Sequence, residues 1–240
     1  MTLKSDRWIK AQCNPTDGRP PMIEPFFAEI KREDGERKIP SFGLSSYGYD
    51  VRLGDTFYFY TASDKARAAH RAHPLDPEPF KSVCINFVDK NDEEFGMFYE
   101  QPNTHATRQA TVVDIADPST QHFAKIEDVK SIDLPPGGFC LGVTMEKINM
   151  PRDASVVCMG KSTVARNGVI VIVTPLEAGW SGYVTLEIYN TLPFPVRLYS
   201  GMGITQMQFF HDEAEQCDVS YADRGGKYMD QPCEPVPPRL

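Results

Sequence analysis

One segment, residues 160–190, constrains the fold of this chain more than any other, because a polar turn, an apolar run and an alternating strand follow one another in it. Gly160 and Gly168 flank a short basic stretch, which predicts one turn of helix with a sharp entry and exit. The run Val169–Val173 is wholly β-branched and does not alternate, so we predict a strand buried on both faces. From Tyr183 to Tyr189 apolar and polar residues alternate, which indicates a strand with one face in the core.

A carboxylate lies in the middle of this alternating strand. Glu187 stands between Thr185 and Tyr189 on the outer face, away from the loop ends where carboxylates usually meet water. A partly desolvated carboxyl group has a raised pKa and can exchange protons near neutral pH. The alternative is a solvated glutamate on an open sheet face, and the pattern alone leaves both readings open.

Elsewhere the chain predicts many short strands and little helix. Phe57–Tyr60, Phe139–Thr144 and Ile204–Phe210 are strand candidates that Gly- and Pro-containing turns separate, and Ser5–Lys10 is a short capped helix. A strand with alternating side chains covers Tyr49–Leu53, and we interpret its charged residues as structural. The pattern is typical of an all-β sandwich or distorted barrel with short helices, in one domain of 240 residues.

Composition narrows the possible partners. A formal net charge of −8 argues against a nucleic-acid-binding surface, and no apolar run is long enough to span a bilayer. The N-terminal residues lack the apolar segment of a secretory signal, and the six cysteines form no CxxC pair, so we expect reduced thiols and a cytoplasmic protein. The Pro-rich tail, residues 232–240, is expected to be mobile unless a ligand or partner orders it.

Five blocks of sequence resemble the dCTP deaminase family, within the dUTPase-like superfamily. They read SFGLSSYGYDVRLG, GKSTVARNG, VTPLEAGWSG, VTLEIYN and SYADRGGKYMDQ, and they occur in the family's order. The resemblance implies an all-β, dUTPase-like distorted barrel and a homotrimer in which neighbouring subunits complete each site. It covers most of the chain except the middle, and residues from about 62 to 131 are interpreted as a family-atypical insertion.

The same resemblance implies a metal-independent, hydrolytic deamination of dCTP to dUTP and ammonia, a step that feeds dUMP and dTTP synthesis. Glu187 matches the catalytic glutamate, which takes a proton from water and delivers it to N3 of the base. Ser162 and Arg166 match an SxxxR pair that orients the water and stabilises charge at C4. The residues predicted to bind substrate are Lys161, Ser162, Thr163, Arg166, Thr185, Glu187, Gln206, Tyr221, Lys227 and Gln231.

The resemblance also implies Mg²⁺ bound through the substrate triphosphate, and dTTP as a feedback inhibitor. Zinc-dependent nucleobase deaminases carry an H-x-E…P-C-x-x-C signature, which this sequence lacks, so no zinc and no protein-held metal are predicted. His70 and His73 have a spacing that would suit a metal on a helix, but they lack a partner ligand and are interpreted as surface residues.

Two other functions stay open. The first is dUTP diphosphatase activity, alone or beside deamination, because Glu177 falls near the position of the aspartate that activates water in such enzymes. The second is a non-catalytic, nucleotide-binding regulatory trimer, although mere binding would not require Ser162, Arg166 and Glu187 together. The sequence leaves open whether the substrate is a plain or modified cytosine, and a mono- or triphosphate.

Overall fold

The computed structural model describes residues 1–35, 37–61, 80–102, 113–212 and 216–239, with side chains described from 82 to 100 in the third range. His70, His73 and much of the proposed insertion lie outside the described residues, so those interpretations stay predictions. Within these ranges the helices are α1 (Asp6–Cys13), α2 (Ser162–Arg166) and a 3-10 turn (Pro118–Thr120). None of the described helices is both long and apolar enough to cross a membrane.

Strands dominate the described residues, which confirms the all-β prediction. They are β1 (Thr2–Leu3), β2 (Ile23–Glu24), β3 (Lys31–Asp34), β4 (Arg37–Ser45), β5 (Gly48–Arg52), β6 (Phe57–Tyr60), β7 (Phe80–Asp89), β8 (Glu94–Pro102), β9 (Phe123–Ile126), β10 (Val129–Leu134), β11 (Phe139–Asn149), β12 (Ala154–Gly160), β13 (Val169–Ile172), β14 (Ser181–Asn190), β15 (Val196–Tyr199) and β16 (Gly203–His211).

Within the described ranges the strands form three sheets. One has the order β1-β16-β5-β4-β3, with β12 also paired to β16, and a second has the order β15-β10-β7-β8. The third has the order β13-β14-β11-β6-β9, with β2 also paired to β11. The third sheet carries Glu187, and its inner face packs into the core.

The predicted alternation along β14 is confirmed. Val184, Leu186 and Ile188 are buried, whereas Thr185 and Glu187 on the opposite face are only half-buried. The β-branched and aromatic residues on both faces of this region suit strand geometry, because their side chains pack well on a pleated surface. One face of the strand therefore stabilises the core and leaves the other free for a site.

The prediction that β13 is buried on both faces is wrong. Val169 and Val171 are buried, but Ile170 is 48% exposed and Ile172 is 58% exposed. The physical reason is that, among the described residues of this single chain, no element covers the outer face of β13, so only its inner face is buried. The apolar outer face of β13 continues the face of β14 on which Glu187 lies.

The C-terminal tail, predicted to be mobile without a ligand or partner, contacts the third sheet, and Val236 is buried there. The backbone N–H of Val236 donates to Thr185 Oγ1 at 3.0 Å, and the hydroxyl of Tyr58 donates to Glu234 at 3.0 Å. Lys125 on β9 also binds the Glu234 carboxylate. These contacts supply the order that composition alone does not reveal.

Candidate active site

A cavity of about 440 Å³ opens on the outer face of the third sheet. Its walls come from β14 and β11, from the loop that follows β13, and from the C-terminal tail. The lining is mainly apolar and aromatic, with a few polar groups that converge on it, as is usual for a small-molecule site. Of the residues predicted from the sequence, the cavity wall includes Thr185, Glu187, Tyr221 and Gln231.

The carboxyl of Glu187 is one of two described carboxyl groups in this cavity wall, the other being that of Glu177. Across the sheet, Glu187 is opposite Leu141 on one side and Ile172 on the other. Burial raises the pKa of Glu187 to about 6, with a hydrogen bond from its own backbone opposing the shift. Within the described residues its carboxyl has no ion-pair partner. This group can therefore gain and lose a proton close to neutral pH.

Thr185, two residues before Glu187, joins β14 to the tail. Its hydroxyl donates to Gln231 Oε1 at 2.9 Å and accepts from the backbone N–H of Val236. The backbone of Gln231 also pairs with the strand, since Tyr183 N–H donates to its carbonyl at 3.0 Å. The Thr185 hydroxyl thus forms hydrogen bonds with both the Gln231 side chain and the Val236 backbone, and these bonds hold the C-terminal residues against the cavity.

Lys161 and Gln206 do not line this cavity, and both bind Asp50 instead. Lys161 forms an ion pair with the buried carboxylate of Asp50, and also donates to Ser41 Oγ at 3.2 Å. Gln206 donates to the other oxygen of Asp50 at 3.2 Å. The cause is the strand register, because Gln206 is opposite Asp50 in the β5–β16 ladder.

Three further predicted site residues, Ser162, Thr163 and Arg166, lie on α2. Ser162, Thr163 and Arg166 are exposed, while Val164 anchors the short helix in the core. The predicted helical turn is confirmed, and Gly168 ends it with a positive φ of 73°. In the described part of this single chain, no residue of α2 contributes to the wall of the cavity that holds Glu187.

Lys227 precedes the tail in sequence and lies beside the cavity. Its ammonium donates to the backbone carbonyl of Arg239 at 2.7 Å and lies 5.5 Å from the ring centre of Tyr228. Tyr228 lines the cavity. Lys227 therefore stands at the rim, exposed to solvent.

Several cavity residues escaped the sequence analysis. Trp180 donates its indole N–H to the carbonyl of Tyr228 at 2.8 Å, and Val236 and Pro238 close the tail side. Trp180 and Tyr228 belong to the blocks VTPLEAGWSG and SYADRGGKYMDQ. An aromatic residue beside a glycine turn was therefore the feature that could have indicated them as cavity residues. Pro238 carried no such signal, because its position depends on how the tail folds back.

In the part of the chain that the structure describes, no three His, Cys, Asp or Glu side chains come together as a metal site.

Comparison with known proteins identifies the family. A family profile described as dCTP deaminase-like matches residues 88–211. The dCTP deaminases of Francisella philomiragia subsp. philomiragia and Francisella tularensis subsp. novicida are each 41% identical to this chain over 231 residues, which cover 96% of this chain and 96% of theirs. A crystal structure of 2'-deoxycytidine 5'-triphosphate deaminase from Agrobacterium tumefaciens aligns with 88% of this chain and 48% of that chain, at 16% identity and a TM-score of 0.46. Because the relatives match over nearly the whole length, the chain belongs to the dCTP deaminase family.

Proposed function

We propose that this protein hydrolyses dCTP to dUTP and ammonia, with Glu187 as the group that moves protons. The observation that carries the proposal is a carboxyl with a pKa of about 6 in a mainly apolar cavity. The names of the relatives supply the substrate, since those proteins are dCTP deaminases. The product dUTP would then feed the synthesis of dUMP and dTTP.

The proposed reaction needs two proton transfers through one carboxyl. Ionised Glu187 takes a proton from water and gives it to N3 of cytosine, while the water oxygen forms a bond to C4. The second water proton then reaches the amino nitrogen through Glu187, the C4–N4 bond breaks, and ammonia leaves. The uracil ring keeps the proton on N3, so dCTP and water are converted to dUTP and ammonia with all atoms accounted for.

The proposed active site requires α2 as well, and we propose that a neighbouring copy in a homotrimer supplies it. Ser162 and Arg166 are exposed in the single chain, where they are available to orient water and stabilise charge in an adjacent subunit's cavity. The apolar face of Ile170 and Ile172, which continues the Glu187 face, is suited to cover by such a copy. The symmetry of a closed ring would repeat this arrangement at each interface.

Subunit mixing tests this arrangement directly. E187Q and R166Q are each expected to be inactive as pure proteins. Co-expressed with separate tags and purified as mixed trimers, they should recover about a third of wild-type activity, because one of the three interfaces in each mixed ring joins an intact Arg166 to an intact Glu187. R166K mixed with R166Q serves as the matched control and should recover nothing beyond its own activity. If Arg166 and Glu187 act within one chain, the mixed trimers will stay inactive.

The nucleotide's triphosphate would be bound by the remaining predicted residues, with Mg²⁺ held through the phosphates. Thr185, Tyr221, Lys227 and Gln231 would bind it from the cavity and its rim, and Lys161, Thr163 and Gln206, which do not line this cavity, would bind it from the neighbouring copy that supplies α2. Incubation with dCTP, dCMP, CTP and dUTP, followed by separation of the products, tests the substrate. Conversion of dCTP alone to dUTP and ammonia is expected, and addition of dTTP to the same assay tests feedback inhibition.

Metal independence is part of the proposal and has its own test. We expect enzyme dialysed against a transition-metal chelator, then assayed with Mg²⁺, to keep its turnover. Loss of turnover that only zinc or another transition metal restores would contradict the role proposed for Glu187, because metal-bound water would then be the nucleophile.

A second activity, hydrolysis of dUTP to dUMP and pyrophosphate, has one observation in its favour. Glu177 lines the same cavity as Glu187. Its carboxylate is paired with Arg224, whose guanidinium lies 5.2 Å from the ring centre of Tyr221. Appearance of dUMP from dCTP in wild type, and its loss in E177Q with dUTP formation retained, would establish a bifunctional enzyme.

A further inference from the structure

Arg239, the last described residue of the tail, and Lys227 donate hydrogen bonds to each other's backbone carbonyls, and we call this pair the clasp. The Lys227 ammonium donates to the backbone carbonyl of Arg239 at 2.7 Å, and the Arg239 guanidinium donates to the carbonyl of Lys227 at 2.9 Å. The backbone N–H of Arg239 donates to the hydroxyl of Tyr228 at 3.0 Å. These reciprocal bonds bring two cationic side chains next to each other at one place on the surface.

Neither cation has a counter-charge in the clasp, because both acceptors are neutral carbonyl oxygens. Other tail and sheet cations differ, since Lys125, Arg152 and Arg197 each bind a carboxylate. Among the residues that the structure describes, no carboxylate lies within ion-pair distance of Lys227 or Arg239. Two cations side by side, without a carboxylate partner among the described residues, indicate a place for an anion in a chain of net charge −8.

Both cations also keep unused donors. An ammonium has three N–H groups and a guanidinium has five, and the clasp uses one of each. The neighbouring residues in sequence, Tyr228 and Pro238, line the cavity that holds Glu187. Lys227 and Arg239 are therefore directly adjacent in sequence to residues of the cavity wall.

We infer that Arg239 is a substrate-binding residue which, with Lys227, holds the terminal phosphates of the nucleoside triphosphate. This inference rests on the proposed function, which gives the cavity a nucleotide. The planar guanidinium can bind two phosphate oxygens at once, whereas the ammonium acts as a point charge. Arg239 would thus make the enzyme favour triphosphates over monophosphates, because only the longer substrate reaches the clasp.

The test measures binding in a background that cannot turn over. R239Q and R239K are each combined with E187Q, and the dissociation constants of dCTP and dCMP are measured with Mg²⁺ present. R239Q should weaken dCTP binding about ten- to a hundredfold, the loss of one charge-assisted hydrogen-bond pair, and leave dCMP binding unchanged. R239K should lose less affinity for dCTP, because lysine keeps the positive charge but cannot bind two phosphate oxygens at once.

A second variant separates phosphate binding from docking of the tail. E234Q weakens the contacts with Tyr58 and Lys125 that hold the tail, and should change dCTP and dCMP binding by the same factor. If R239Q also changes both by one factor, or changes neither, Arg239 does not bind phosphate and the inference is overturned. If E187Q protein binds dCTP but wild type releases no ammonia from it, the proposed function fails while the role of Arg239 is still decided.

Discussion

Glu187 is directly opposite Leu141 across the β11–β14 ladder, and both side chains line the same cavity. Residues opposite each other in an antiparallel pair project from the same face at short separation. The aliphatic neighbour therefore excludes water from one side of the carboxyl, and desolvation is the largest cause of its raised pKa. The basicity of Glu187 is set by the strand register and not by a neighbouring charge.

The pH dependence of deamination follows from this relationship. The proposed base must be ionised, so kcat/KM for dCTP should rise with pH through about 6 and level off above it. L141T admits water beside the carboxyl and should move the inflection down toward the ordinary glutamate value of 4.5. Initial rates between pH 4.5 and 8.5 measure both profiles.

E187Q supplies the control for this profile, because it keeps the shape of the side chain but cannot take up a proton. It should be inactive at every pH. An inflection near 6 that L141T leaves in place would assign the ionisation to another group and contradict the role of Glu187 as base.

The same pKa predicts a pH-dependent stability. A carboxyl whose folded pKa is raised from 4.5 to about 6 favours the folded state when protonated, and that contribution is lost as pH rises through 6. At pH 8, E187Q should therefore exceed wild type in free energy of unfolding by about 1–2 kcal/mol. Below pH 4.5 the difference should vanish. Urea titrations at pH 4 and pH 8 measure it, and a difference independent of pH would show that packing, not ionisation, is responsible.

Local pattern was sufficient for part of this site and not for the rest. The alternation along β14 was enough to place Glu187 on the outer face, because side-chain direction in a strand depends on residue parity alone. The burial of β13 could not be read in this way, since Ile170 and Ile172 have the same pattern whether or not another surface covers them. Fold class likewise followed from many short strands, because turn residues and β-branched runs are local signals.

Contacts between distant parts of the chain were the ones that sequence could not supply. Gln206 binds Asp50 because of the register between β5 and β16, and Lys161 reaches Asp50 because β12, which it follows, pairs with β16; no local pattern specifies either pairing. The tail looked mobile from its prolines, yet Thr185 holds it through Gln231. Such contacts depend on where strands pair, and a single sequence records the residues without recording the pairing.

The hydroxyl of Thr185 predicts how firmly the tail is held. T185V keeps the shape of the side chain but removes one donor and one acceptor, so Gln231 Oε1 and the Val236 N–H lose their partner. Each unsatisfied group costs about 1–3 kcal/mol when buried, enough to release the tail from the sheet. Hydrogen exchange of the Val236 amide should become about tenfold faster or more.

T185S is the matched control, since it keeps the hydroxyl and loses only a methyl group. Its Val236 amide should exchange at close to the wild-type rate. Equal protection of this amide in T185V and wild type would show that other contacts hold the tail, such as those of Glu234 with Tyr58 and Lys125.

A buried ion pair away from the cavity predicts the largest effect on stability. Glu146 is fully buried in β11, and its carboxylate accepts from the Arg52 guanidinium at 2.6 Å and from the Arg52 backbone N–H at 2.8 Å. Burial raises the pKa of Glu146, and Arg52 opposes the shift. The guanidinium also lies over the ring of Phe27. R52M should therefore cost about 3–5 kcal/mol, because it leaves a buried carboxylate without its counter-charge.

The double variant R52M/E146Q should recover part of that loss. Glutamine carries no charge and still has an oxygen to accept the backbone N–H of residue 52, so the uncompensated charge is removed while one hydrogen bond stays. Urea unfolding of wild type, both single variants and the double variant gives the coupling energy of the pair. A charge pair at this distance must couple. If the losses in free energy of unfolding of the two single variants simply add in the double variant, Arg52 stabilises the fold through its packing on Phe27 and Phe42 instead.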